Sequence, residues 1–461
     1  MSEELVAQQL ISDPRTARAK QLLLETLKDC QKQITGIRPP LPSKKTSYEA
    51  LLKEYASYRG AKLYYPYLGS GIGKGALVEL LDGSVKYDFI TGIGVHFLGH
   101  SHPLLLEAAF ESALSDIIMQ GHLQQNADAM ELSKLLIEAS GLDHCFLSSS
   151  GAMANENAFK LAFQKKNPST RVFAFERCFA GRTLALSQVT DKPAYRIGLP
   201  NFLPVDYIPF YDPQKPEEST LRAKNVLKKY IQRYPKQHAL FCMELIQGEG
   251  GYYTAAREFF IELLAICKDN QIAIFFDEVQ TFGRTNSLFA FQHYNLQEYA
   301  DIVSLGKLSQ TCATLFRKEM APGPGLLSQT FTSSTAAIKS SKAIIEHLLQ
   351  GKYFGPDGKN AQIERRFAEA MTGLQKRYPE SIEGPFGIGA MAAFTTCKGD
   401  PVKTAVFAQA LFEKGVIGFV AGSEPTRIRF LIPSGAIELH EIDLVVEVIE
   451  QTLRQIHEKE G

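Results

Sequence analysis

Three short stretches of this 461-residue chain carry side chains suited to covalent and acid–base chemistry. Lys307 directly follows the run Ile302-Val303-Ser304-Leu305-Gly306, and a lysine amine in a dry cleft loses its proton readily and can form a Schiff base with a carbonyl. Asp277 follows Ile272-Ala273-Ile274-Phe275-Phe276; a carboxylate there is costly to bury unless a cation compensates it. Ser149-Ser150-Gly151-Ala152 lies between a strand-like run and a helical one. The first free N–H groups of such a helix, with serine hydroxyls beside them, make an anion site. Each stretch also has an ordinary reading: a solvated surface lysine, a carboxylate capping a turn, a Ser-Gly N-cap. Together they describe an anion cradle for a phosphate, a carboxylate for a heterocyclic cation and an amine for an aldehyde. Pyridoxal 5'-phosphate (PLP) has all three complements, and its ring nitrogen is an electron sink that a nearby carboxylate keeps protonated.

These residues need strands to hold them. Ala239-Leu240-Phe241-Cys242-Met243, residues 272–276 and Ile302-Val303-Ser304-Leu305 are continuous apolar runs, the pattern of strands buried on both faces of a mostly parallel sheet. Helical spacing over 152–165 and 256–269 alternates with them, which predicts an α/β fold. In such folds ligands bind beyond the carboxyl ends of the strands, where the three stretches lie. After about residue 330 two long helical stretches (335–350, 361–377) precede strand-like 389–395 and a closing helix over 438–458, which reads as a smaller α+β lobe. Residues from about 14 to 33 have helical spacing, and Gly36-Ile37-Arg38-Pro39-Pro40-Leu41-Pro42 then interrupts and reads as an arm or linker.

Composition sets the outer limits. With 45% hydrophobic and 22% charged residues the chain is globular rather than disordered. Fifty Lys+Arg balance fifty Asp+Glu, so no overall field favours a phosphate backbone or an anionic membrane. The start Met1-Ser2-Glu3-Glu4-Leu5 is acidic where a targeting signal is basic, and no apolar run nears the ~18 residues of a membrane span; a cytoplasmic protein is expected. The seven cysteines are scattered without a CxxC pair, which suits reduced thiols.

From about residue 64 onward the chain resembles the class III (omega) aminotransferases of the fold-type I PLP-dependent enzymes. Asp88-Phe89, Gly92-Ile93-Gly94-Val95 and Gly99-His100-Ser101-His102-Pro103 are similar to the family's glycine-rich opening segment. Ser150 to Glu156 resembles its phosphate turn, and Phe179-Ala180-Gly181-Arg182-Thr183 its aromatic-x-Gly-Arg segment. Glu244 with Gln247-Gly248-Glu249-Gly250-Gly251, Asp277-Glu278-Val279-Gln280 with Gly283-Arg284-Thr285, and Gly306-Lys307 complete the set.

The resemblance implies a large PLP-binding domain with a mostly parallel central sheet (69–330), an N-terminal arm that is part of the small domain (1–68) and a C-terminal small α+β domain (331–461). It implies that Lys307 is the Schiff-base lysine and proton shuttle and Asp277 the partner of the pyridine nitrogen. Val279 and Phe179 would cover the two ring faces, Gln280 would reach the ring hydroxyl, and Glu244 belongs to the cofactor site. Ser150, Gly151 and Ala152 would hold the phosphate, joined by Thr330 of the partner subunit of a homodimer. Arg182 and Arg429 would take substrate carboxylates, with Glu249 able to pair with Arg429, and Tyr64 could touch substrate by analogy. Transfer from an omega-amino donor of the acetylornithine, ornithine, lysine or 4-aminobutyrate type to a 2-oxo acid, chiefly 2-oxoglutarate, is the expected reaction. An aminomutase, decarboxylase or epimerase on the same scaffold is the alternative, because substrate orientation directs the cofactor's chemistry.

The chain departs from the family pattern at Ala180, Met153 and Leu245, in the shortened step from Gln280 to Gly283, and at Thr332-Ser333-Ser334-Thr335. These departures motivate a third reading, a drifted scaffold protein, which intact Lys307, Asp277 and Gln280 oppose. Residues 306–312 are more similar to lysine 6-aminotransferases. Two motifs are set aside: His96, His100 and His102 lack supporting ligands for a metal site, and the loop Gly69 to Gly75 leads into a strand rather than the helix a nucleotide loop requires.

Overall fold

The computed structural model describes residues 4–115 and 117–460; the acidic Met1-Ser2-Glu3 lies outside them. Two compact units divide the chain: Met1–Asp116 with Gln362–Phe386 and Ala390–Gly461, and Ile117–Ala361 with Gly387–Gly389.

The second unit is built on one seven-stranded sheet, whose strands in chain order are β1 (His144–Ser148), β2 (Arg171–Phe175), β3 (Val205–Ile208), β4 (His238–Met243), β5 (Ala273–Glu278), β6 (Ile302–Leu305) and β7 (Cys312–Phe316). Their spatial order is β1-β7-β6-β5-β4-β2-β3. β7 runs antiparallel to both its neighbours, while the pairings among β6, β5, β4, β2 and β3 are parallel. Every residue of β4, β5 and β6 is buried, as continuous apolar runs require. In the helix Arg257–Asp269, Phe259, Phe260, Leu263, Leu264 and Cys267 form the buried stripe, the 3.6-residue period of a helix laid on a sheet. Register sets up the chemistry. β5 and β6 pair with Asp277 opposite Ser304, and β4 pairs with β5 through Met243 and Phe276, so Glu244 and Asp277 leave adjacent strands side by side.

In the first unit Gly69–Lys74, Leu77–Leu80 and Val85–Asp88 form an antiparallel meander that Val416–Ile417 extends in parallel. The glycine-rich stretch therefore forms a strand of its own besides leading into one. Ile382–Ile388, Met391–Thr396, Arg427–Leu431 and Phe419–Ala421 make a second four-stranded sheet. After Val85–Asp88 the chain makes a left-handed turn, with Thr91, Gly92, Ile93 and Gly94 at φ 54°, 64°, 63° and 88°. Asp88 Oδ1 accepts the N–H groups of Ile90 and Thr91 at 3.2 and 2.6 Å, and Asp88 Oδ2 lies 3.0 Å from His100 Nε2. His102 Nδ1 accepts the N–H of Leu104, capping the helix Pro103–Ala113. Among the described residues no helix is long and apolar enough to cross a membrane.

Candidate active site

The carboxyl ends of five strands converge on one cavity. β1 runs out at Ser148, and Ser150, extended at φ −149°, caps the helix Gly151–Lys165 by accepting the N–H of Met153 at 3.2 Å. The N–H groups of Gly151 and Ala152 stand in the first turn, where no intrahelical acceptor exists, at the positive end of the helix dipole. Glycine is required at 151 by space: a Cβ there would lie 2.6 Å from Val279 Cγ1.

Asp277, at the end of β5, is buried. Its Oδ1 accepts the N–H of Val279 at 3.0 Å and the hydroxyl of Ser304 at 3.3 Å, and its Oδ2 accepts from Asn155 Nδ2 at 2.7 Å. Burial pushes its carboxyl up, while these donors and the Lys307 cation pull it back. Glu244 follows β4, and its two oxygens accept the N–H of Phe179 at 2.9 Å and of Gly248 at 3.1 Å. Burial and the neighbouring Asp277 push Glu244 up to about 8.

Lys307 enters from β6 through Gly306 with its backbone at φ 51°, and Gln310 three residues on stands at φ 62°. This left-handed backbone at a lysine is strain of the kind that gathers at functional sites. Gly306 leaves room for Cys312, whose Sγ would lie 2.8 Å from a Cβ at 306. The Cys312 thiol is buried and pushed up to about 11.

The cavity, about 330 Å³, is lined by Gly151, Ala152, Phe179, Arg182, Glu244, Asp277, Val279, Gln280 and Lys307, all expected from the sequence, and by Asn155, Ala180, Gly181, Ile246 and Thr281. Ser150 adjoins it as the cap. Arg182 is exposed, with its guanidinium 4.0 Å from the Tyr195 ring centre. Glu249 is half-buried in the turn beyond Gly248. Thr330 is exposed, outside the residues lining this cavity, and its carbonyl oxygen leaves no room for a Cβ at Gly121. Tyr64 and Arg429 belong to the first unit. Tyr64 packs edge-on against Tyr65 and Phe419 and lines an aromatic cavity there, and Arg429 is buried on Arg427–Leu431, 5.6 Å from the Phe419 ring centre. Asn155 and Ser304 were not singled out from the sequence, although each is a polar residue inside an apolar stripe, the signal that could have found them.

The donor set fits PLP. An anion cradle, a buried carboxylate and an amine share one cavity, and glycine keeps the cradle open at its floor. This sheet and the placement of its polar residues are the architecture of the fold-type I PLP-dependent transferases. The chain belongs to the class-III aminotransferases, whose family model matches residues 69–453; these are PLP-dependent transaminases. It is 30% identical over 404 residues to the acetylornithine aminotransferase of Methanocaldococcus jannaschii, covering 83% of this chain and 93% of that protein. Among solved structures, the lysine aminotransferase of M. tuberculosis in its internal aldimine form superposes with a TM-score of 0.80 at 22% identity, over 88% of this chain and 99% of that one. The ornithine aminotransferase of Toxoplasma gondii does so with a TM-score of 0.77 at 22% identity, over 89% and 96%. These two likenesses are of fold.

Proposed function

We propose that this aminotransferase moves the amino group of an omega-amino donor, of the acetylornithine, ornithine, lysine or 4-aminobutyrate type, to a 2-oxo acid such as 2-oxoglutarate. It works as a cytoplasmic homodimer with shared sites. The observation that carries the reading is the single cavity lined by Lys307, Asp277 and the N-terminus of the helix Gly151–Lys165. When bound, PLP supplies an aldehyde to receive the amine and a ring that accepts electrons.

The chain's own residues do the rest. The N–H groups of Gly151 and Ala152, with the Ser150 hydroxyl, bind the phosphate, and Thr330 of the partner subunit adds a donor. Asp277 holds the proton at the ring nitrogen, its carboxylate fixed in orientation by three donors that favour its ionised form. Val279 and Phe179 bracket the ring, Gln280 hydrogen-bonds its hydroxyl and Glu244 holds the turn that carries Phe179. Lys307 Nζ would take a proton from the donor's carbon and return it two atoms away, a 1,3-shift in which it acts as base and then acid. Arg182 orients a substrate carboxylate by a bidentate pair, Arg429 offers a second guanidinium for the dicarboxylate, and Tyr64 contacts substrate.

The test is a panel of acetylornithine, ornithine, lysine and 4-aminobutyrate with 2-oxoglutarate or pyruvate, read by the spectrum of the bound cofactor and by product. Turnover that requires a stoichiometric 2-oxo acid supports the proposal. Turnover without one would mean a mutase or decarboxylase, and the same turnover after Lys307→Ala would overturn the assignment of the amine.

A further inference from the structure

Asn155 stands on the second turn of the helix Gly151–Lys165, on the face turned toward the sheet, and is 2% exposed. Its side-chain nitrogen carries two hydrogens and directs them to two different elements. It donates to Asp277 Oδ2 at 2.7 Å and to the backbone carbonyl of Ala180 at 2.7 Å. Ala180 lies in the turn that follows β2, which is held on its other side by Thr190, whose Oγ1 accepts the N–H of Ala180 at 3.0 Å and of Gly181 at 3.3 Å. One amide thus fixes the spacing between the acid at the end of β5 and the turn that carries Phe179.

The other end of the same side chain has a cost. Asn155 Oδ1 is buried with no hydrogen-bond partner among the described residues, and an orphaned buried acceptor opposes folding. Between Ala154 and Ala158, both buried, packing alone would favour an apolar residue of this size. A local rule broken in this way points to a gain made at the site.

We infer that Asn155 is a positioning residue for the cofactor: it aims Asp277 at the ring nitrogen and holds the Phe179 turn in register with it. The inference rests on the assignment of Asp277 proposed above. Its donated hydrogen bond also favours the ionised carboxylate against burial, so losing it changes how the carboxylate and ring share a proton.

The test compares wild-type, Asn155→Leu and Thr190→Val proteins loaded with PLP. Asn155→Leu keeps the branched shape and number of heavy atoms and removes both the donor and the orphan. Its PLP dissociation constant is expected to rise roughly tenfold, as for the loss of one hydrogen bond to a charged group. The pH midpoint of its visible absorbance is expected to shift by about one unit, with kcat falling more than the KM for the amine rises. Thr190→Val loosens the same turn without touching Asp277, and its pH midpoint is expected to stay in place. If Asn155→Leu does not fold, Asn155→Ser, which keeps one donor, is read the same way with a smaller shift. An unchanged midpoint and PLP affinity in a folded Asn155 variant overturn the inference, as does an equal midpoint shift in Thr190→Val. A wild-type protein that binds PLP without coupling its spectrum to Asp277→Asn would instead refute the underlying assignment.

Discussion

Glu244 Oε2 accepts the backbone N–H of Phe179 at 2.9 Å, tying the end of β4 to the turn after β2. The carboxyl is buried beside Asp277 and pushed up to about 8, so the folded protein binds a proton there that the unfolded chain releases near pH 4.5. Stability from this group is present below that value and is lost as pH rises through about 8. Glu278, pushed up to about 7 by burial, adds a loss of the same sign. Without added cofactor, the thermal midpoint is expected to fall between about pH 4.5 and 8 and to level off above that, and Glu244→Gln to flatten part of that slope while matching the wild type at low pH. A Glu244→Gln protein with the full slope would contradict the assignment.

A Cβ at Gly151 would lie 2.6 Å from Val279 Cγ1, so Gly151→Ala must displace the Val279 side chain or the helix N-terminus. The expected cost is about 1–3 kcal/mol of stability, as for other overpacked sites, together with weaker PLP binding if, as proposed, the displaced N–H groups hold its phosphate. Denaturant unfolding and a reconstitution titration measure the two effects. A variant as stable and as tight-binding as the wild type would mean that the cradle is not built on this contact.

Much of this site could be read from the chain because its residues lie immediately after continuous apolar runs. Lys307 follows β6, Asp277 closes β5 and Ser150 follows β1, and position at a strand end already suggests ligand chemistry. What pairs them could not be read. Ser304 faces Asp277 only through the register of β5 and β6, and Asn155 reaches Asp277 across 122 residues of chain. The strand Gly69–Lys74 carries alternating glycines in place of an apolar face, so no period marks it. In the same sheet Val85–Asp88 pairs with Val416–Ile417, a contact between distant segments that local pattern cannot encode. The left-handed turn Thr91–Gly94 was equally hidden, since Thr91 and Ile93 are β-branched residues that favour extended backbone; the N–H groups of Ile90 and Thr91 donate to Asp88 and anchor the start of the turn.

Gln310 closes the short turn of Lys307 with φ at 62° and ψ at −45°, a backbone that a side chain disfavours. Gln310→Gly removes that strain, and after the entropy of a freer unfolded chain is subtracted the net gain is expected to be up to about 1 kcal/mol. The thermal midpoint should rise slightly. If the strain serves to aim Lys307, the same variant loses kcat while gaining stability, an exchange familiar at active sites. Equal stability and equal kcat would show that the turn is indifferent to this residue.

Arg182 lines the cavity yet is exposed, with Tyr195 4.0 Å beneath its guanidinium. Stacking restrains the plane of the fork and leaves its edge for a carboxylate, which two parallel N–H groups hold better than one ammonium can. Arg182→Ala is therefore expected to raise the KM of the carboxylate-bearing substrate roughly 10- to 100-fold, as for loss of a charge-assisted hydrogen bond. Because this binding is made equally in ground and transition states, kcat should change far less. Arg182→Lys keeps the charge but not the fork and should recover only part of the loss. Tyr195→Leu keeps the charge and the fork but removes the stacking surface, so it should raise KM by a smaller factor. Steady-state kinetics of the four proteins with one 2-oxo acid decide the matter, and an Arg182→Lys variant equal to the wild type would show that charge alone suffices.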